Sequence, residues 1–404
     1  MKRRIDPNRP SINVTVGDPQ KVGDPINAHI VYTVHTTTNS PNLFRKQSFS
    51  VLRRYSDFLW LYDNLCLNNP GVIVPPVPEK HSFGRFQDSF VESRRQALNK
   101  CIQKIVDHPL LYTDPGLKLF LESDSFALDI KHRKTEAGVD RAAGGTGLMA
   151  TIGSTLTGPK FIENDDWFEN RKMYLDALES QFRGLIKAIE VVAKQRAEVV
   201  TAAGELSQAL SELATSGLSK QLSHTIGMLS DVESRVKDMQ ESQAKDDVMT
   251  FLAGIDEYTR LIGSIRLAFM SRERVYVAWQ NAESDVRKVR AGHEKAKRQG
   301  KLPSDTTGVP LAQLSAAERR ALDSKNEFDS VTKLVKSEIA RFEHERIEDF
   351  KDSLELFLEN MIRRQREAKT HSHQLIVAWE GYQNVLLKRV GANPIVNGSP
   401  TSTR

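Results

Sequence analysis

The chain has 404 residues, enough for two or three domains, and 39% of them are hydrophobic, which excludes a wholly disordered protein. Lys and Arg total 57 against 52 Asp and Glu, a net charge of +5; so mild a surplus suits local patches meeting an anionic surface, not a chain that is basic throughout. Two cysteines, Cys66 and Cys101, exclude a disulfide framework and a four-cysteine zinc site.

The N-terminal run Met1-Lys2-Arg3-Arg4 is followed by Ile5-Asp6-Pro7-Asn8 where a signal peptide needs an apolar stretch. No apolar run approaches the ~20 residues that span a bilayer, so the protein is expected to be soluble and cytosolic. The first structured stretch alternates with period two. Ile12-Asn13-Val14-Thr15-Val16, then Ile26 to Val34, then Ser48-Phe49-Ser50-Val51-Leu52-Arg53 predict a three-stranded antiparallel meander. Helical spacing follows at Tyr55, Phe58, Leu59, Tyr62, Leu65 and Cys66. After the proline-rich run Val72 to Lys80, a second helix carries Val91, Leu98, Cys101, Ile102 and Ile105, and stops near His108-Pro109. A short third piece holds Leu117, Phe120 and Leu121. Residues 1–126 are read as one α+β domain, residues 127–164 as a linker rich in Gly, Ala and Thr, and both cysteines as core residues.

All but two of the 16 prolines lie before residue 160 or after 390; the exceptions are Pro303 and Pro310. Residues 165–390 are therefore free to form long helices with one interruption near 299–312. Leu175, Leu178, Phe182, Leu185, Ile189, Val192, Val199, Ala203, Leu206, Leu210 and Leu213 trace a heptad seam over about five repeats, with Arg196 in one slot. Ser216-Gly217 marks a break. A second helix over 219–298 would be ~120 Å long, and a third is expected over 313–390. Three long antiparallel helices with an apolar flank predict a coiled rod that dimerises; residues 391–404 are read as a disordered tail.

The chemistry-bearing cluster is Leu52-Arg53-Arg54-Tyr55-Ser56-Asp57-Phe58, where a strand gives way to a helix. An arginine there offers a planar fork of donors to a phosphate, and an aromatic beside it offers a wall for a sugar or inositol ring. The competing reading is a solvated arginine pair beside a core tyrosine. Downstream stand Pro75-Pro76-Val77-Pro78-Glu79-Lys80 and Val91-Glu92-Ser93-Arg94-Arg95-Gln96-Ala97-Leu98. Pro75 and Pro78 also fit an SH3-ligand spacing, but a loop flanking the ligand is the preferred reading.

These three motifs, in this order, resemble the PX (phox homology) domain, a phosphoinositide reader, over residues 10–126. The resemblance implies that Arg54 binds the 3-phosphate of the headgroup, that Tyr55 packs under the inositol ring, that Lys80 meets the 1-phosphate, and that Arg94 reaches the ring hydroxyls. Ser56 would add a phosphate hydrogen bond. Arg53 and Arg95 are expected to face solvent or membrane. The implied ligand is phosphatidylinositol 3-phosphate. Phe83 and Phe86, in the loop after Lys80, either dip into the bilayer interface or pack against the second helix.

In the linker, Leu148, Met149, Ile152 and Leu156 share one helical face over about 146–157, opposite uncharged small residues. Such a segment binds curved bilayers through packing defects; a plain linker is the alternative. Gly145-Xaa-Gly147-Xaa-Xaa-Ala150 mimics a dinucleotide fingerprint but has no preceding strand, so it is set aside. Near the interruption of the rod, Arg287, Lys288, Arg290, Lys295, Lys297, Arg298 and Lys301 form a basic tip opposed only by Asp285 and Glu294. Each such cation near an anionic membrane contributes roughly 1 kcal/mol. Arg266, Arg272 and Arg274 are expected to extend this as a stripe.

The α+β domain, the amphipathic linker and three long helices together resemble the PX-BAR sorting nexins, in which an all-α BAR domain forms a dimeric crescent. Pro70 to Lys80 and Cys101 to Leu111 resemble the fungal retromer-associated group, the counterpart of animal sorting nexins one and two. That group commonly carries a long N-terminal extension with no counterpart in these residues, so a shortened form is expected. The resemblance implies a curvature-generating coat protein, peripheral on endosomal membrane, dimeric with itself or with another PX-BAR sorting nexin, and partnered by the retromer core complex in retrograde transport. The alternative is a PX-anchored coiled-coil scaffold that does not bend membrane. No catalytic, metal or cofactor motif is found: His371 and His373 point to different faces, and neither a phosphate loop nor a nucleophile elbow exists. The basic residues lack interleaved aromatics, so nucleic acid is not an expected partner.

Overall fold

A computed structural model describes residues 10–24, 28–40, 43–80, 87–136, 161–298 and 308–390. The expected meander forms from β1 (Ile12–Val22), β2 (His29–Thr38) and β3 (Ser48–Arg54), antiparallel in the order β1-β2-β3. Ile12 pairs with Thr38 and Val16 with Val34, and Val31 pairs with Arg54 at the other edge. A bulge lies between Gly17 and Gln20, and Asp18 takes it up with φ 46°, a left-handed conformation that aspartate tolerates better than bulkier residues.

Alternation points Ile12, Val14, Val16, Tyr32, Val34 and Val51 inward. Against them pack α1 (Tyr55–Asn68), α2 (Asp88–Val106), α3 (Pro115–Glu122) and Phe126, through Phe58, Leu65, Leu98, Ile102, Leu117 and Phe120. Each such side chain contributes roughly 1.5–3 kcal/mol by leaving water. Helix α4 (Phe126–Glu136) runs on into the segment read as linker.

The free edge of β1 is closed by side chains of α2. Val14 N–H donates to Gln103 Oε1 at 2.9 Å and Val16 N–H to Asn99 Oδ1 at 2.7 Å, while Gln103 Nε2 donates to Ile12 O and Arg95 Nη1 to Val16 O. Residues 95, 99 and 103 lie four apart on one helical face, so α2 serves the edge as a surrogate strand.

The long helices are α5 (Asp166–Ala214), α6 (Lys220–Asp247), α7 (Ala253–Arg298) and α8 (Gly308–Val390). The break at Ser216-Gly217 is observed, with Gly217 at φ +86°. The expected single helix over 219–298 is instead divided by a π-helical turn at Val248–Leu252, where one extra residue enters the ladder. Phe251, inside this turn, stacks on Phe357 and meets Phe350. Pro310 falls in the first turn of α8, where its missing N–H has no intrahelical partner to lose.

The chain separates into two compact units. The first comprises residues 1–179 and 257–345, so the sheet domain, the start of α5, most of α7 and the first half of α8 pack together. Here Gly71 N–H donates to Ser271 Oγ at 2.7 Å, Tyr62 Oη meets Ser264 Oγ at 2.9 Å, and Glu338 accepts Ile73 N–H at 3.0 Å. Gly71 sits at φ +88°, and a Cβ there would press on Val331 at 3.1 Å. Buried Arg272 pairs with Glu163 at 2.6 Å and lies 3.9 Å from the Phe168 ring centroid, fixing the entry to α5.

The second unit holds residues 180–256 and 346–404. Ser207 and Ser230 exchange hydroxyl-to-carbonyl bonds of 2.9 and 2.7 Å between α5 and α6. The heptad slot at Arg196 is explained by Gln243, whose amide oxygen, turned toward the guanidinium, lies 3.0 Å from both terminal nitrogens. The seam of α5 is split. Leu175, Phe182 and Ala203, with half-buried Ile189 and Leu210, face their own chain, whereas Val192, Val199, Leu206 and Leu213 are 45–50% exposed at seven-residue intervals.

Candidate headgroup site

The residues expected at the site sit at one junction of the first unit. Arg54 ends β3 and is the N-cap of α1, so its extended backbone (φ −93°, ψ 163°) turns the side chain away from the core. Asp57 at N3 accepts Arg54 N–H at 3.0 Å and Nε at 3.3 Å. A guanidinium has no acceptor to complete a reciprocal cap, so its remaining donors face outward. Ser56, exposed on the first turn, lies 3.5 Å from the same carboxylate.

Tyr55 is half-buried, and its hydroxyl donates to Pro78 O at 2.6 Å. Arg94 Nη2 donates to Glu79 O at 3.2 Å, and the Arg94 guanidinium carbon lies 4.4 Å from the ring centroids of both Tyr55 and Phe90. The two carbonyls directly preceding Lys80 are thus tied to α1 and α2, which brings exposed Lys80 to the Arg54–Tyr55–Arg94 junction. Cys101 Sγ holds Pro75 O at 3.5 Å behind this loop. Pro75 and Pro76 are buried, which removes them from an SH3 groove. Burial pushes the Tyr55 phenol up, with Arg94 opposing, so Tyr55 stays neutral. Both cysteine thiols are pushed up to about 12 by burial, as suits core residues.

Phe90 was not expected here; its position four residues before Arg94, on the same face of α2, was the available signal. The expectation for Arg53 and Arg95 is corrected. Arg53 is 2% exposed and donates to Phe120 O at 2.8 Å, Leu52 O at 2.7 Å and Ser123 O at 2.6 Å, with its pKa lowered to about 10 by burial. Arg95 joins Val16 O to Glu92, whose carboxyl its hydrogen bonds hold down at about 2.

The basic tip is less one-sided than expected. Lys288 pairs with Asp285 at 3.0 Å and Arg290 with Glu318 at 2.9 Å, whereas Arg287, Lys295 and Arg298 are exposed. The expected stripe is absent: Arg272 is buried, and Arg266 pairs with Asp176 at 2.7 Å and Glu179 at 2.6 Å. Phe83, Phe86, Leu148, Met149, Ile152, Leu156 and Lys301 lie outside the described residues, as does the side chain of Lys297. Among the described residues, no helix is long and apolar enough to cross a membrane.

Residues 41–124 match the family model of the PX domain, and residues 145–383 match the model described as Vps5 C terminal like. The chain belongs to the Vps5-type sorting nexins. This sorting nexin is 32% identical over 377 residues to vacuolar protein sorting-associated protein vps5 of Schizosaccharomyces pombe, covering 91% of this chain and 64% of that protein. It is 30% identical over 388 residues to human sorting nexin-1, covering 92% of this chain and 71% of that protein. The chain therefore spans less than two-thirds of the fission-yeast relative's length. The SNX-BAR Mvp1 tetramer shares the fold, at a TM-score of 0.51 and 17% identity, over 91% of this chain and 99% of that one. The α+β domain followed by BAR-type long helices is the expected architecture.

Proposed function

We propose that this sorting nexin binds phosphoinositide headgroups on endosomal membrane from the cytoplasmic side, dimerises through its long helices, and bends the membrane during retromer-linked retrograde transport. The observation that carries the reading is the convergence of Arg54, Tyr55, Lys80 and Arg94. Its chemistry suits phosphatidylinositol 3-phosphate. Arg54 is the planar partner for the 3-phosphate, Tyr55 supplies the wall, Lys80 is a point charge for the 1-phosphate, Arg94 reaches the hydroxyls, and Ser56 adds a donor. The kinship with vps5 and sorting nexin-1 supports sorting at endosomes.

Dimerisation is supported by the open heptad positions of α5 and by exposed Leu354, Leu358, Ile362 and Trp379 on α8. Such exposure in a single chain calls for a covering surface, with itself or with another PX-BAR sorting nexin. The exposed tip cations, the loop phenylalanines and the amphipathic linker segment would add shallow membrane contacts, whose avidity on one dimer multiplies. The protein acts as an adaptor and not as an enzyme, and the retromer core is its expected partner.

The test is flotation and electron microscopy with vesicles containing phosphatidylinositol 3-phosphate. Headgroup-dependent flotation with tubules is the expected result. Vesicles that bind protein and stay round would replace membrane bending with a scaffold role.

A further inference from the structure

Two aromatic rings, from different helices, meet one guanidinium at the headgroup junction. The Arg94 guanidinium carbon lies 4.4 Å from the ring centroid of Tyr55 on α1 and 4.4 Å from that of Phe90 on α2. Arg94 Nη2 also donates to Glu79 O at 3.2 Å, so the loop before Lys80 holds it as well. Tyr55 is itself fixed, because its hydroxyl donates to Pro78 O at 2.6 Å. Phe90 stands in the first turn of α2, four residues before Arg94. Helical side chains lean toward the N-terminus, so a long side chain at position 94 folds back over the residue at position 90. The next residue, Val91, is buried in the domain core with Leu98 and Ile102, whereas Phe90 is only half-buried. A guanidinium is flat and weakly hydrated, which suits it to an aromatic face, and the contact is stronger where water is partly excluded. A loose arginine must give up rotamer freedom when a ligand arrives; one already held against two rings has given it up beforehand.

We propose that Phe90 is a positioning residue of the headgroup site: its ring holds Arg94 in the pose that meets the inositol hydroxyls, and it acts through Arg94 rather than on the lipid. The inference rests on the headgroup reading above. Arg94 is preorganised by one aromatic from each helix, so a change at Phe90 lowers headgroup affinity while Arg54 and Lys80 stay in place.

The test uses the whole chain with two probes: soluble inositol 1,3-bisphosphate by calorimetry, and vesicles containing phosphatidylinositol 3-phosphate by flotation. Phe90→Leu keeps an apolar side chain but removes the ring face, and is expected to weaken both about three- to tenfold. Phe90→Tyr, which restores the face, is expected to recover most of the loss. Unchanged affinity of Phe90→Leu for the soluble probe overturns the proposal, and so does a loss confined to vesicles, which would assign Phe90 to the bilayer interface. If Phe90→Leu melts early, a Phe90→Tyr variant that melts as the parent does and still binds as weakly as Phe90→Leu also overturns it. A double-mutant cycle read on vesicles separates positioning from packing. With Arg94→Gln in place, Phe90→Leu is expected to add no further loss; a further loss as large as that seen with Arg94 present overturns the proposal. Arg54→Ala run alongside separates the two readings. If Arg54→Ala abolishes binding and Phe90→Leu does not weaken it, only the positioning role falls; if neither matters, the headgroup reading itself falls.

Discussion

Arg53 and Arg54 are consecutive, yet their guanidinium groups serve opposite faces of the same strand. Arg53 is sealed among the carbonyls of Leu52, Phe120 and Ser123, whereas Arg54 stands exposed beside Asp57 at the mouth of α1. Substitutions at the two positions should therefore separate stability from binding. Arg54→Ala is expected to leave the fold intact, within about 0.5 kcal/mol, and to abolish headgroup-dependent flotation. Arg53→Met leaves the carbonyls of Leu52, Phe120 and Ser123 without their guanidinium donors; a stranded buried acceptor costs about 1–3 kcal/mol, and unfolding stability is expected to fall by about 3 kcal/mol or more. Urea unfolding with flotation on the same samples checks both; a stable Arg53→Met variant that loses lipid binding would contradict the division.

That division was legible in part. Alternation along β3 puts Arg53 on the inward face with Val51, but a charge in an apolar slot reads as surface unless three acceptors are known to wait inside. Arg272 misleads for the same reason: it shares a helical face with Ile265, Phe269 and Val275, and its partner Glu163 is 109 residues away. The strands, the break at Gly217 and the long helices were readable because period and proline placement are local properties. The π-turn at Val248–Leu252 was not, since nothing in its composition marks an extra residue in the ladder. The candidate headgroup cluster is suggested by residue order; the contacts that gather it, Tyr55 and Arg94 on the carbonyls before Lys80, are tertiary.

The closure of β1 by α2 gives a second expectation. Gln103→Ala leaves Val14 N–H and Ile12 O without their partners and is expected to cost about 1–3 kcal/mol. Combined with Asn99→Ala, it uncovers a strand edge, so the double variant should also self-associate at high concentration. Light scattering after mild heating checks this; a double variant that stays monodisperse as the parent does would show that the edge is guarded elsewhere.

His108 and Glu338 predict a pH dependence. His108 Nε2 faces Glu338 Oε2 at 3.1 Å, and Leu110 N–H donates to its other nitrogen at 3.1 Å, which leaves the neutral ring with its proton on Nε2. Arg341 and Glu345 complete the charged surroundings. Burial lowers the His108 pKa below 6.5, while His108 and Arg341, overcoming burial, hold Glu338 at about 2. The folded state thus binds fewer protons than the unfolded chain at both groups. Stability is expected to fall as pH drops below 6.5 through His108, and further from 4.5 toward 2 through Glu338. Melting temperatures of the parent and of His108→Gln, compared between pH 7.5 and 5.5, should converge on acidification. A constant gap would mean that His108 titrates alike in both states.

At the tip, pairing predicts unequal contributions. Lys288 and Arg290 already face Asp285 and Glu318, so reversing them should change membrane affinity little. Reversing exposed Arg287, Lys295 and Arg298 should weaken binding to anionic vesicles lacking phosphoinositide by roughly 1 kcal/mol per residue or more. Flotation at two salt concentrations decides: a charge effect shrinks with salt, and equal losses from the two sets would show that the pairs are open at the membrane.

The open heptad positions of α5 carry the last prediction. Val192, Val199, Leu206 and Leu213 repeat every seven residues and stay exposed, while the alternate positions are occupied within the chain. A stripe of that period fits a helix from a second chain, because its knobs meet a facing row at constant register. Val199→Asp with Leu206→Asp should leave the single chain folded, since neither side chain is buried in it, and shift sedimentation from dimer to monomer. Monomeric protein keeps one headgroup site, so its vesicle affinity should fall sharply while its affinity for soluble inositol 1,3-bisphosphate is unchanged. A variant that stays dimeric would place the interface on α8 and leave the α5 stripe for another partner.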